Sequence, residues 1–364
     1  MLKDTPSDTL SAAIHHLPES CIHKVYYFHD IRIIFQTNYP ALLPILDKML
    51  GVFPEPPKVQ GEATYVVLCY ENAAQFPVQL PRRRVRTETV RLLTNTKLKY
   101  YRDGNGSTLY QSYVALPPIN EAAVSVIDLA HATALTQLEM PERYQSTFLR
   151  RYAFLLALGQ LMHKCGFEPC HGGAISAPWD AQQGALILGA SGSGKTTLSI
   201  GCAMIGCGLL GDDLVMLREQ TADGTIEAHA ISHEVSIRSG SLDLWPALSF
   251  LRDVPADKRD KRYTTIERVR SGVACSKAPI RLLLFPTLTT DARSSVTPLN
   301  KASTLQKLVD ECLGQKYTTP QAQERLFLFL STLAEQAAGY RIAIARGSND
   351  GPQIVRSLFV GNAL

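Results

Sequence analysis

Residues Gly189-Ala190-Ser191-Gly192-Ser193-Gly194-Lys195-Thr196 carry the spacing G-x-x-x-x-G-K-[ST], and Thr197 follows directly. Glycines at these intervals let successive backbone N–H groups turn inward around phosphate oxygens. A lysine after the last glycine can reach the β- and γ-phosphates of a nucleotide, and the Thr196 hydroxyl is a hard oxygen ligand for Mg2+. An ordinary glycine turn gives no reason for Lys195 and Thr196 to stand there. Residues 189–197 are therefore expected to bind ATP with Mg2+.

Two carboxylates lie downstream in Leu209-Leu210-Gly211-Asp212-Asp213-Leu214-Val215-Met216-Leu217. The apolar flanks read as a strand, although Gly-Asp-Asp is also good turn chemistry. Successive strand residues face opposite sides, so the two aspartates cannot share one task. Asp212 is assigned the general base that takes a proton from the acceptor. Asp213 is assigned to the metal, directly or through water, with Thr196. Mg2+ and Lys195 would keep both carboxylates ionised despite their mutual repulsion.

These groups need a strand that delivers the loop and a helix that leaves it. Ala185-Leu186-Ile187-Leu188 supplies the apolar run, and Leu198, Cys202 and Ile205 fall on one helical face. The Leu-Ser-Gly-Gly-Gln signature of transport ATPases and the Asn-Lys-x-Asp motif of Ras-like GTPases are both missing from the sequence. A carboxylate pair one short helix after the loop instead resembles HPr kinase/phosphorylase and the structurally related phosphoenolpyruvate carboxykinases. The similarity spans roughly residues 150 to 320. It includes Cys170-His171-Gly172-Gly173-Ala174-Ile175, the strand Val235-Ser236-Ile237-Arg238, the charged stretch Asp257 to Tyr263, the strand Ala278 to Pro286, and a helix after Pro298-Leu299.

The resemblance implies an α/β architecture: a P-loop kinase domain of HPr kinase/phosphoenolpyruvate carboxykinase type with a mixed sheet. It places His171 beside Asp212 as an orienting group and Arg238 as a neutraliser of transition-state charge. The sequence also departs from the family. Thr196-Thr197 replaces the usual Ser-Glu, and the glycine-rich signature tied to dephosphorylation is not found. The N-terminal region resembles the front half of HPr-kinase-like proteins that accompany peptide-modification pathways. HPr is therefore not implied as the substrate. The expected reaction moves the γ-phosphoryl of ATP to a hydroxyl, foremost a serine of a protein or peptide. A small-molecule kinase, or a nucleotide-dependent switch acting through a partner, are the alternatives.

The chain has 364 residues, 45% hydrophobic and 19% charged, with a net charge of +4. That balance fits a soluble globular protein, and the charge is too small to imply nucleic acid. The polar N-terminus leads into no signal-peptide core, and the longest apolar runs are far short of a membrane span. A cytoplasmic protein is expected, without nucleic-acid or membrane partners, with homo-oligomerisation left open. Eight scattered cysteines suit a reduced compartment. His163, Cys165, Cys170 and His171 cluster in sequence, but Cys-x4-Cys is outside the commonest zinc spacing and buried thiols explain it better.

Two domains are expected: a smaller N-terminal α+β domain, residues 1–138, for substrate or partner recognition, and a catalytic domain, residues 139–364. In the first, Val25–Phe28 and Ile31–Phe35 read as a hairpin around His29-Asp30, followed by a helix at Leu42–Leu50 and strands at Tyr65–Tyr70 and Leu109–Val114. Arg82-Arg83-Arg84 and Arg86 read as a solvated edge strand. A helical segment, Arg143 to Lys164, opens the second domain. Helices follow at Leu305–Val309 and Arg325–Ala334, and Tyr340–Arg346 reads as a terminal strand.

Overall fold

The computed structural model describes residues 10, 13–14, 17–18, 20–78, 86–90, 96–102, 108–113, 123–143, 149, 154–257, 260–312 and 320–361. The chain divides into two compact units, Met1–Phe167 and Glu168–Leu364. The described residues of the segment 143–164, grouped on sequence with the second domain, lie in the first unit, whereas 144–148 and 150–153 lie outside the described residues.

The first unit is built on one eight-stranded sheet. Its strands are β1 (Ile22–Phe28), β2 (Ile31–Thr37), β3 (Gly61–Tyr70), β4 (Arg86–Val90), β5 (Thr96–Arg102), β6 (Thr108–Tyr113), β7 (Ala123–Asp128) and β8 (Thr133–Glu139), in the order β1-β2-β3-β8-β7-β6-β5-β4. The β2–β3 and β3–β8 pairs are parallel and the others antiparallel. Alternation in β2 buries Ile31, Ile33 and Phe35. Helix α1 (Leu43–Leu50) buries Leu46, Met49 and Leu50, spaced to share one face. The expected hairpin, helix and strands form, with Val114, at the end of the last expected strand, lying outside the described residues. Arg86 opens β4 at the sheet edge, whereas Arg82, Arg83 and Arg84 lie outside the described residues. Strands β7 and β8 escaped the sequence reading because they are buried on both faces and show no alternation. Helix α2 (Leu156–Lys164) falls within the expected helical segment.

The second unit has a nine-stranded mixed sheet. Its strands are β9 (Glu168–Cys170), β10 (Gly173–Ala177), β11 (Asp180–Ile187), β12 (Gly208–Gly211), β13 (Val215–Glu219), β14 (Ile226–Ala230), β17 (Lys277–Thr289), β18 (Ser295–Leu299) and β19 (Ala338–Ala345). The path runs β12-β10-β11-β17-β14-β13-β9, with β19 pairing both β17 and β18. Strand β17 lies parallel to β11 and β19, and antiparallel to β14. A separate ribbon joins β15 (Glu234–Arg238) to β16 (Lys261–Thr265). The helices are α3 (Lys195–Met204), α4 (Ser239–Leu244), α5 (Ile266–Val269), α6 (Lys301–Cys312), α7 (Pro320–Gln336) and α8 (Gly351–Gly361). Helix α8 follows the strand expected to be terminal; it buries Val355 and Phe359, an i, i+4 pair.

Ile187, Leu198, Leu209, Leu282, Leu284 and Ile342 meet in one apolar core, which fixes α3 against β10, β11 and β17. Among the described residues no helix is long and apolar enough to cross a membrane.

Candidate active site

Strand β11 carries the chain to the loop. Ala185 to Leu188 are fully buried, and Leu188 N–H donates to Leu284 O at 2.9 Å. The loop then turns on glycines: Gly192 and Gly194 have φ of +85° and +98°, where an L side chain is strained. Gly194 is the N-cap of α3, and the first helical bond runs from Leu198 N–H to Gly194 O, at 2.9 Å. The N–H groups of Lys195, Thr196 and Thr197 precede that bond and point along the helix axis toward the loop.

Lys195 is 7% exposed, and its ammonium folds back onto the loop, donating to Gly189 O and, at 3.0 Å, to Ala190 O. Burial pushes its pKa below the usual lysine range, while Asp213 and Glu311 of α6 pull it back up. Glu311 is in turn pushed up by burial and drawn down by Lys195. Among the other loop residues, Ala190, Ser191 and Gly192 are exposed, and Ser193 N–H closes the turn onto Ala190 O at 3.2 Å. The side chain of Thr197 faces α4, with its Oγ1 2.8 Å from Oγ of Ser241.

The aspartate segment is not one strand. Strand β12 stops at Gly211, the chain bends through Asp212 and Asp213, and it resumes as β13 in another part of the sheet. The bend still gives the two carboxylates different surroundings. Asp212 is 4% exposed and accepts from Thr196 Oγ1 at 3.3 Å, Ser236 N–H at 3.3 Å and Ser236 Oγ at 3.2 Å. Burial and the neighbouring Asp213 charge push its pKa up to about 6, against Lys261 and the Ser236 hydrogen bonds.

Asp213 leaves 39% of its side chain exposed. Lys261 Nζ stands 2.9 Å from its Oδ2, and His171 Nδ1 stands 3.6 Å from its Oδ1. His171 occupies the bend between β9 and β10. Burial lowers its pKa, opposed by Asp213, so a neutral ring faces the carboxylate at pH 7. The expected groupings, Thr196 with Asp213 and His171 with Asp212, are thus the reverse of those observed. The reason is the bend: it turns Asp212 inward to the helix start and Asp213 outward to the ribbon.

Arg238 ends β15, exposed, in register with Lys261, and its charge acts on Lys195. Ser236 was missed on sequence. Its signal was a small polar residue between Val235 and Ile237, in a strand buried at all three positions. Thr196 Oγ1 and Asp212 Oδ2 form a pair of hard oxygen donors that fits Mg2+, an ion that takes only one or two protein ligands beside water and phosphate oxygens. Among the described residues no group of three or more His, Cys, Asp or Glu side chains is gathered as a metal cluster.

No protein-family model matches the chain. No curated protein is similar to it in sequence. Among solved structures, the Hpr(Ser) kinase/phosphatase from Coxiella burnetii is similar over 54% of this chain and 90% of that one, at 13% identity and a TM-score of 0.31.

Proposed function

We propose that the second unit is an ATP-dependent phosphotransferase that moves a γ-phosphoryl group to a hydroxyl, foremost a serine of a protein or peptide. One observation carries this reading. The start of α3 brings Thr196 to a buried carboxylate, Asp212, with a second, half-exposed carboxylate, Asp213, beside it whose charge acts on Lys195. The loop amides and Lys195 would hold the phosphates. Thr196 and Asp212 would hold Mg2+, which when bound neutralises phosphate charge.

Asp213 is the general base in this reading. It lies at the surface edge of the site, where an acceptor hydroxyl can reach it. The acceptor proton passes to Asp213, the oxygen takes the phosphoryl group, and ADP leaves. His171 orients Asp213 without adding charge. Arg238, whose charge acts on Lys195, would meet charge that develops on the departing phosphates. Exposure of Asp213 favours an acceptor residue carried on a larger chain over a fully enclosed metabolite. A base aimed at an acceptor also speaks against a pure nucleotide switch.

The test is incubation of the purified protein and a cell lysate with γ-labelled ATP and Mg2+, followed by mass spectrometry. A labelled protein or peptide is expected with the wild-type chain and not with Asp213→Asn. Label recovered only as inorganic phosphate would rule the transferase reading out.

A further inference from the structure

Resting on the phosphotransfer reading above, we propose that Lys261 is a further residue of the transfer site, a cation parked on Asp213 until a nucleoside triphosphate enters and then shared with its terminal phosphate.

The main chain at Lys261 is held on both sides. Its N–H donates to Asp257 Oδ1 at 2.9 Å, its carbonyl accepts from Asp257 N–H at 2.8 Å, and Tyr263 OH donates to Asp257 Oδ2 at 3.1 Å. The preceding residue, Asp260, has φ of +59°, a conformation few non-glycine residues adopt. Its carboxylate is fixed there by Ser239 N–H at 3.0 Å, Ser239 Oγ at 2.6 Å and Arg262 NH1 at 3.1 Å. A backbone so constrained persists only where its surroundings enforce it. What it presents to the site is the flexible four-carbon stem of a lysine, which swings while its backbone stays still.

The end of that stem lies at the centre of the site. Nζ stands 2.9 Å from Asp213 Oδ2, and the Lys261 charge is felt by His171, Lys195 and Asp212. Lys261 thus covers an oxygen that an acceptor hydroxyl needs. A terminal phosphate, with more charge and three acceptor oxygens, is a stronger partner than a half-exposed carboxylate. As Lys261 turns to it, this ammonium gives up its contact with Oδ2. A diphosphate lacks the group that draws the lysine away.

The test is calorimetric binding of ADP and of a hydrolysis-resistant ATP analogue, each with Mg2+, to the full chain. Lys261→Ala is expected to weaken analogue binding by about tenfold, the loss of one charge-assisted hydrogen bond, while ADP binding stays within about twofold. Lys261→Arg should restore much of the preference for the triphosphate. If Lys261→Ala does not fold, Lys261→Gln, which keeps most of the stem, gives the same comparison. An equal change for both nucleotides, or no change for either, overturns the role of Lys261 alone. Failure of the wild-type chain to bind either nucleotide overturns the phosphotransfer reading and this inference with it.

Discussion

Thr196 donates its Oγ1 hydrogen to Oδ2 of Asp212 over 3.3 Å, joining the first turn of α3 to the bend after β12. This contact joins the two pieces of the site that the sequence keeps apart. In the proposed reaction both oxygens serve the same ion, so Thr196→Val should raise the Mg2+ concentration for half-maximal transfer about tenfold or more. Thr196→Ser, which keeps the oxygen, should stay near wild type. A Mg2+ titration of initial rates checks this, and an unchanged half-point in the valine variant would remove Thr196 from the ion.

The carboxylates should separate by phenotype. Asp213→Asn leaves nucleotide affinity within a few-fold and lowers transfer by roughly a hundredfold or more, as for a lost general base. Asp212→Asn instead raises the Mg2+ requirement. Steady-state kinetics on the two variants decides between this assignment and its mirror image, in which Asp212 is the base.

Asp212 also makes a prediction about stability. Its carboxyl titrates near 6 in the folded protein, above its ordinary value of 3.8, because burial and Asp213 disfavour the charge. A raised acid pKa contributes stability that is full below the unfolded value and lost as pH climbs through the folded one. Ionised Asp212 therefore weighs against the metal-free fold above about pH 6. Asp212→Asn removes that charge but keeps an acceptor for Ser236 N–H. Without Mg2+ the variant should be more stable by roughly 1–3 kcal/mol at pH 8, a few degrees in Tm, with the gap closing between pH 6 and 4. Melting curves at pH 4.5 and 8 test it; a variant less stable at pH 8 would mean the carboxylate stabilises the fold.

Much of this site was legible because local chemistry specifies it. The interval between Gly189 and Lys195 requires a tight turn onto a helix start, and α3 begins at Lys195. Strand β17 was marked by its apolar run from Leu282 to Phe285. The different surroundings of the two carboxylates were not legible, since they depend on β12 and β13 entering different parts of the sheet. That is a pairing choice made with distant partners, β10 for one and β9 and β14 for the other. On sequence Lys258, Arg259, Lys261 and Arg262 crowd one charged stretch, which the resemblance sets near the active site as cations that would clamp departing phosphates or steer an acidic acceptor, with a solvated surface as the other reading. Nothing in the sequence singles out Lys261 among them, and Lys258 and Arg259 lie outside the described residues.

Lys195 should be needed for both nucleotide and loop. Its ammonium holds two loop carbonyls, Gly189 O and Ala190 O. Lys195→Ala therefore leaves both without that donor and also removes the charge meant for the phosphates. Transfer should be abolished, with a stability loss of about 1–3 kcal/mol. Full ATP turnover by the folded variant would dismiss the loop as a phosphate site.

The position of α3 depends on a residue with no chemistry of its own. A methyl group at Gly201 would lie 2.6 Å from both Cγ of Pro352 on α8 and Cζ2 of Trp245, so the helix seats directly against them. Neither neighbour can yield cheaply: Pro352 is a ring at the start of α8, and Trp245 lies between α4 and the turn that follows it. Gly201→Ala should therefore cost about 1–3 kcal/mol through overpacking, despite the better helix propensity of alanine. Because the shift is carried along α3 to Thr196, the Mg2+ requirement of transfer should rise as well. Gly240 on α4 offers the control, since a methyl group there meets nothing within 4 Å. Gly240→Ala should leave both Tm and the Mg2+ requirement near wild type. Equal behaviour of the two variants would show that α3 is not held by this contact.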